Sequence, residues 1–458
     1  ALAAFTGADA TTCISTTNPL DLSKDYYPAS NRIAVDGTPA GSAEVTVAGD
    51  FSVTYHPYFK VLKNLKTSNT YILRMCGSDK PTKYPNGTAI ESDAAHFSVP
   101  INGAALGWGT PMVFFEQLDL MDKVKLANPK YVHSPCLHKA TSASTITVES
   151  DGTEFKTKAA AATDVELVII DSWGTGMCNC TKDVTFDTSS DDTPLGRAEW
   201  IKFISVFFNE EDRANLVFAR EKAAYEASVK IAESASATHA AANGGKKKKC
   251  AWVSNLKVDM HPYKTAYCTD AGMEAFSVTP ADTSKTYTDK AALATALADV
   301  DVIIDETSAW PNDPCETFTT KATVEAKLGI TLKDGALLLR TDRMLYDTGS
   351  NKNYAWLESG ITRPAHVLQG LVHAVWPTAV HEIPATCVDY WRDITAGETC
   401  LIKDETHCDL WETANKENQC VTNIISDDEM ALIRDSPAAK PSSIIAIVIA
   451  LIVAVVGA

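Results

Sequence analysis

A chain of 458 residues is long enough for two or three domains, and its 45% hydrophobic residues can fill their cores. Its 41 Lys and Arg against 58 Asp and Glu leave a formal charge of −17, which lacks the general attraction to phosphate backbones that nucleic-acid binding relies on. Charged residues at 22%, with 23 Gly and 20 Pro, exclude a disordered or collagen-like chain.

Residues 1–40, rich in Thr, Ser, Ala and Pro, read as a loose lead-in. The small residues Ala1-Leu2-Ala3-Ala4 resemble the end of a signal-peptide cleavage region, so the N-terminus reads as already processed. A first α/β lobe is expected over 41–193. Within it, the alternating, β-branched stretch from Ala43 to Tyr55 predicts strands around a Gly49-Asp50 turn. Tyr71 to Cys76 predicts another strand, Pro111 opens a helix over 112–121, and Val165 to Ile170 is a short apolar run typical of a buried parallel strand.

A helical connection follows over 194–233. Thr193 and Pro194 open it as cap and first turn, and Trp200, Ile201, Ile204, Phe207 and Phe208 share one face. Asn209, with Glu210, Glu211 and Asp212 behind it, reads as the cap of a further helix over 210–233. At about 36 Å such a helix crosses between two lobes. Residues 234–250 read as a low-complexity loop ending in a solvated Lys run.

The α/β pattern restarts in a second lobe over 251–436. It has strands at Ala251, Val302 to Ile304 and Ala336 to Arg340, and helices over 290–298 and 364–375. The run from Asp164 to Asp171, with Trp173 after it, is echoed about 135 residues later from Asp299 to Asp305, with Trp310 after it. Such an echo predicts two similar lobes. Residues 437–458 contain the uninterrupted apolar run Ile444 to Val456 and read as a C-terminal hydrophobic anchor, either a short membrane span or a GPI-attachment signal.

Twelve cysteines without a C-x-x-C pair, and sequons at Asn86 and Asn179, point to the secretory pathway, disulfide bonds and the extracellular face of the plasma membrane. The sequence has no nucleophile elbow and no phosphate loop, and the chain reads as a binding protein, not an enzyme. Gly107-Trp108-Gly109 lacks the third Gly of a dinucleotide fingerprint, and His381-Glu382 lacks the second His of a zinc-protease helix. His133, Cys136 and His138 have metal-ligand spacing and support an alternative reading as a surface metal-binding protein or metalloenzyme, unless Cys136 is half of a disulfide. His407-Cys408 carries the same ambiguity.

Aromatic residues mark a candidate cleft. In open parallel sheets ligands bind outside the carboxyl ends of strands. Trp173 and Trp310 follow the echoed strands, Trp108 follows another, Trp252 reopens the second half, and Tyr390-Trp391 lies in its closing stretch. A large flat ligand stacks on such rings, and Trp252, Trp391 and Phe208 are the preferred stacking residues.

The run from Thr193 to Phe203 followed by Phe207 to Glu211, the segment Asp301 to Glu306, and Tyr354 to Glu358 with Arg363-Pro364 resemble algal cobalamin acquisition proteins. These in turn are similar to bacterial periplasmic vitamin B12- and siderophore-binding proteins. The resemblance covers about residues 45–395. It implies a two-lobed α/β, periplasmic-binding-protein-like fold with its lobes joined by a long rigid helix. It also implies cobalamin held in the inter-lobe cleft by aromatic side chains, Trp356 among them, and delivery to an unknown transporter or receptor. The D-W-F-E-R run of bacterial B12 binders here reads Ala355-Trp356-Leu357-Glu358-Ser359, so polar recognition comes from elsewhere or the ligand differs. A ferric siderophore or haem-like macrocycle is the alternative ligand on the same scaffold.

Overall fold

The computed structural model describes residues 13–27, 45–130, 132–170, 178, 180–278, 283–309, 313–347, 352–379 and 389–408. An N-terminal sheet of four strands runs β1 (Phe51–Tyr55), β2 (Phe59–Asn64), β3 (Asn69–Met75) and β4 (Ala95–Val99), with β4 parallel to β3 and the others antiparallel. Among the described residues no strand precedes Gly49, unlike the expected hairpin. The N–H groups of Thr46, Val47 and Ala48 donate instead to the buried carboxylate of Glu199, at 3.0, 2.6 and 2.8 Å. A carboxylate that satisfies three backbone donors removes their need for a partner strand.

The first lobe then alternates from β5 to β8: β5 (Ala104–Leu106), α1 (Thr110–Gln117), β6 (Val124–Ala127), α2 (Pro135–Ser142), β7 (Thr147–Val148), α3 (Gly152–Ala161) and β8 (Leu167–Ile170), with β9 (Asp183–Thr185) after it. Its sheet is parallel throughout, in the order β7-β6-β5-β8-β9. Helices α4 (Pro194–Glu199), α5 (Ile201–Phe208) and α6 (Glu211–Ala242) follow. Asn209 does not begin α6. It ends α5 in the left-handed conformation, φ 58°, which Asn tolerates better than most residues.

The expected loop over 234–250 is helical as far as Ala242, so α6 has 32 residues and a length of about 48 Å. Two facts explain the extension. The segment is rich in Ala, the best helix former. Its small side chains also let the helix lie close to the second lobe, where Ser236 Oγ donates to the Gly272 carbonyl at 2.5 Å. The Lys run ends in strand, since Lys249 opens β10.

The second lobe comprises β10 (Lys249–Ser254), β11 (Lys257–Asp259), α7 (Pro262–Asp270), β12 (Glu274–Ala275), β13 (Ser284–Thr286), α8 (Lys290–Leu297), β14 (Val302–Asp305), α9 (Pro314–Thr317), α10 (Lys321–Leu328) and β15 (Leu337–Arg340). It continues through β16 (Met344–Asp347), β17 (Lys352–Tyr354), α11 (Ser359–Thr362), α12 (Pro364–Val375), β18 (Arg392–Asp393) and β19 (Leu401–Lys403). The main sheet runs β13-β11-β10-β14-β15-β18, with β12 beside β10 and a parallel centre of β10, β14 and β15; β17-β16-β19 form a small separate sheet. The echoed sequences become β8 and β14, each held between parallel neighbours.

Helix α6 belongs to both lobes. Phe218 packs in the core of the first, while Ala224, Tyr225 and Ala232 pack in the core of the second. Its buried seam is Ala214, Phe218, Glu221, Tyr225, Ser228, Ala232 and Ser236, spaced by three and four residues, the spacing of one helix face.

Five disulfides tie the described residues: Cys13–Cys76, Cys136–Cys408, Cys178–Cys180, Cys250–Cys268 and Cys315–Cys400. That density marks a chain matured in an oxidising, extracytoplasmic compartment. Among the described residues no helix is long and apolar enough to cross a membrane. The expected anchor over 437–458 lies outside them, as do Trp173 and Trp310.

Candidate functional site

The two lobes meet where α4, the N-terminal part of α7 and the turn from Ala355 into α11 converge. Here they leave a recess of about 40 Å³ lined by Pro194, Arg197, Tyr263, Tyr267, Trp356, Leu357, Gly360 and Ile361. Each wall has a local cause. Thr193 Oγ1 accepts from the Gly196 N–H at 2.9 Å and Pro194 occupies the first turn, which starts α4. A Cβ at Gly196 would stand 2.1 Å from Asp191 Oδ1, so only Gly lets α4 seat there and present Arg197 inward. Pro262 starts α7 in the same way and brings Tyr263 and Tyr267 to the recess.

Trp356 is the inner wall. Its indole N–H donates to Glu306 Oε1 at 2.9 Å, and Glu306 follows directly on β14, at the carboxyl end of a central parallel strand. The same carboxylate pairs with the Lys264 ammonium, which also meets Asp259 Oδ2 at 3.1 Å. Burial would lower the Lys264 pKa, but Glu306 and the other anionic neighbours raise it, so the ammonium stays charged. Leu357, 59% exposed, forms the apolar lip.

The sequence-predicted stacking residues fall behind this wall, not on it. Trp252 is fully buried, stacked on Trp356 at 5.5 Å between centroids, with its N–H donating to the Lys264 carbonyl at 3.1 Å. Trp391 packs 5.5 Å from Trp356 and donates to the Val367 carbonyl at 2.8 Å. Tyr390 is buried and donates to Ser359 Oγ at 3.1 Å. Phe208 packs edge-on to Phe115, 5.3 Å away, in the core of the first lobe. Strands covered on both faces bury their large rings, so Trp252 inside β10 packs behind Trp356 and not on the recess lining. Trp108, half-buried in the turn before α1, does not line the recess, whereas Trp356 does.

Beside the recess, Glu358 ties the lobes together. Both its oxygens accept the His133 N–H at 2.9 Å, and its carboxyl lies against Gly109, where a Cβ would come within 2.8 Å. Burial raises the Glu358 pKa well above the usual carboxylate range, and the nearby Glu116 adds to the effect.

The metal-site alternative fails at this junction. Cys136 is spent in the disulfide to Cys408. The His138 ring stacks on Tyr346 at 4.0 Å with Nε2 against the Val132 carbonyl. Burial drives the His133 pKa down to about 3, aided by His138 and Lys403. A second donor cluster, Cys178, Cys180 and Asp183, lies within 4.8 Å, but its sulfurs are joined as a disulfide. Asp183 instead accepts the N–H groups of Cys178 and Cys180, at 3.1 and 3.3 Å, and braces that loop.

Two features escaped the sequence reading. Arg197 lies inside the run from Thr193 to Phe203, but that run marks a resemblance and gives no role to a single Arg. The buried network of Arg340, Arg392, Asp305 and Asp342 was missed because its members come from three separate segments.

No protein-family model matches the chain, and no curated protein does. Solved structures do match. A periplasmic solute-binding protein from Veillonella parvula is 16% identical over 66% of this chain and 87% of its own, with a TM-score of 0.41. A periplasmic haem-binding protein from Pseudomonas aeruginosa is 13% identical over 64% of this chain and 98% of its own, with a TM-score of 0.40. Nickel-bound CeuE from Helicobacter pylori is 12% identical over 63% of this chain and 89% of its own, with a TM-score of 0.38.

Proposed function

We propose that the chain is an extracytoplasmic binding protein that captures cobalamin at the junction of its lobes and passes it to an uptake partner. The observation that carries the reading is the aromatic recess between the lobes, with Trp356 as its inner wall and exposed Leu357 as its lip. It combines apolar surface for a corrin edge with a few fixed polar groups, the composition expected of a small-molecule site. Its volume of about 40 Å³ admits one substituent of such a ligand, so the macrocycle lies across the mouth. Pockets that enclose a whole ligand are roughly 300–1,000 Å³.

The function ends at binding: recess residues provide contact and orientation, and the Lys264 and Glu306 charges cancel one another. A haem-like ligand is the second reading, favoured by the Arg197 guanidinium at the recess, which suits a propionate. Titrating the full-length chain with cyanocobalamin and with haemin while following tryptophan fluorescence decides between them. Saturable one-to-one quenching by cobalamin alone supports the first reading; haemin alone supports the second.

A further inference from the structure

Among the charged groups at the lobe junction, Arg197 is paired differently from the rest. It is only 8% exposed, and a guanidinium stays protonated in proteins. Five other buried cations meet carboxylates: Lys60 meets Glu211, Lys202 meets Glu199, Lys264 meets Glu306, and Arg340 and Arg392 meet Asp342. Such pairing is the rule, because an uncompensated buried charge is costly. Arg197 instead donates from Nε to the Asp191 carbonyl at 2.9 Å and from Nη2 to the Ser189 carbonyl at 2.6 Å. Its guanidinium lies 3.5 Å from the centroid of the Tyr263 ring. No carboxylate among the described residues forms an ion pair with it. Carbonyls and a ring face fix its orientation, the Asp191 carboxylate acts on it without a direct ion pair, and Arg197 lines the recess.

We infer that the recess is an anion subsite, in which Arg197 receives an oxyanion substituent of the ligand; for cobalamin this is the phosphodiester of the nucleotide loop. The inference rests on the cobalamin reading and names the part of the ligand that enters. Size agrees, since a recess of about 40 Å³ takes a small group and not a ring system. Chemistry agrees as well, since a pre-oriented guanidinium forms strong charge-assisted bonds to phosphate oxygens. The neutral amides around a corrin would leave the charge unmatched.

The test compares cyanocobalamin with dicyanocobinamide, a corrin without the phosphodiester, on the full-length chain. Wild type should bind cobalamin at least about tenfold more tightly than cobinamide, in the range of a hydrogen bond to a charged group. Arg197→Gln should erase that difference by weakening cobalamin alone. Equal affinities in wild type, or an equal loss of both ligands in a folded Arg197→Gln protein, overturns the subsite while leaving corrin capture intact.

Because Arg197 also holds two loop carbonyls, melting temperature is measured in parallel. Leu357→Asp, set against Leu357→Asn, supplies a variant on an exposed lip that puts a competing carboxylate at the mouth. It should weaken cobalamin more than cobinamide, and equal weakening counts against the subsite. If wild type binds neither corrin, the cobalamin reading fails, and inorganic phosphate then tests the subsite alone. Millimolar phosphate should shift wild-type fluorescence but not that of Arg197→Gln, and no shift in wild type overturns the inference.

Discussion

His366 on α12 is buried with neither ring nitrogen hydrogen-bonded among the described residues, and burial, with Arg363 nearby, drives its pKa down to about 3. The folded value lies below the unfolded one near 6.5, so below that pH the unfolded chain binds the extra proton. Stability should therefore fall as pH drops from about 6.5 toward 3, by up to ~1.4 kcal/mol per pH unit for each such histidine. His133 has the same sign, as do His96, His138 and His261, so His366→Leu should remove a part of this histidine slope in urea unfolding series between pH 6.5 and 5. An unchanged slope would show that the His366 ring is solvated. Trp252 belongs to the same scale. Its truncation to Ala should cost roughly 3–5 kcal/mol as a cavity, measured as a lowered urea midpoint, with ligand affinity changed only through folding. Sequence could name these aromatic residues but not their depth, because a Trp in a strand and a Trp one turn beyond it look alike until the sheet is covered. Trp356 and Arg197 both lie in runs that carry the resemblance, but only the Trp also belongs to the aromatic set that suggests a stacking role.

At the scale of elements, the segment 45–50 and α4 form one unit through Glu199. Burial would raise the Glu199 pKa, but the Lys202 ammonium and the donors Thr46 and Ala48 hold it below the usual 4.5. A depressed carboxylate stabilises the fold above its unfolded pKa, and this contribution is lost as pH falls below 4.5 through the folded value. Glu199→Gln strands Lys202 and should cost about 3–5 kcal/mol at pH 7, shrinking as the wild-type carboxyl protonates in acid. A cost below about 1 kcal/mol in denaturant titrations would mean the pair is solvated. Helix α6 tests the seam between lobes. Ala224 is buried against the second lobe, and Ala224→Leu should overpack it by about 1–3 kcal/mol, read as a lowered melting temperature. The β-α alternation of both lobes was legible because buried parallel strands are short apolar runs. The last turns of α6 were not, because Ser, Ala and Thr repeats resemble a linker in composition and only Gly272 and its neighbours show what they pack against.

For the whole molecule, the lobes are joined at several points besides α6. Asn353 donates to the Val132 carbonyl at 2.9 Å, and Cys136 is bonded to Cys408 across 272 residues. Replacing both cysteines by Ser should cost about 2–4 kcal/mol and loosen the small sheet of β16, β17 and β19 against α2. Limited proteolysis should then cut near residues 401–408, and an unchanged pattern would show that packing alone holds the strap. Such ties leave little room for wide lobe movement, so the proposed capture would rely on the preformed recess. Two-lobed architecture was readable from the echo of β8 in β14. The junction itself was not, since its residues come from three segments, around Arg197, Tyr263 and Trp356, spread along the sequence. The most direct measurement is a cyanocobalamin titration of wild type beside Leu357→Glu, a change at a side chain 59% exposed that leaves the core untouched. The account predicts saturable one-to-one binding by wild type and at least tenfold weaker binding by the variant at an unchanged melting temperature. Equal binding by the two proteins, or none by folded wild type, would contradict it.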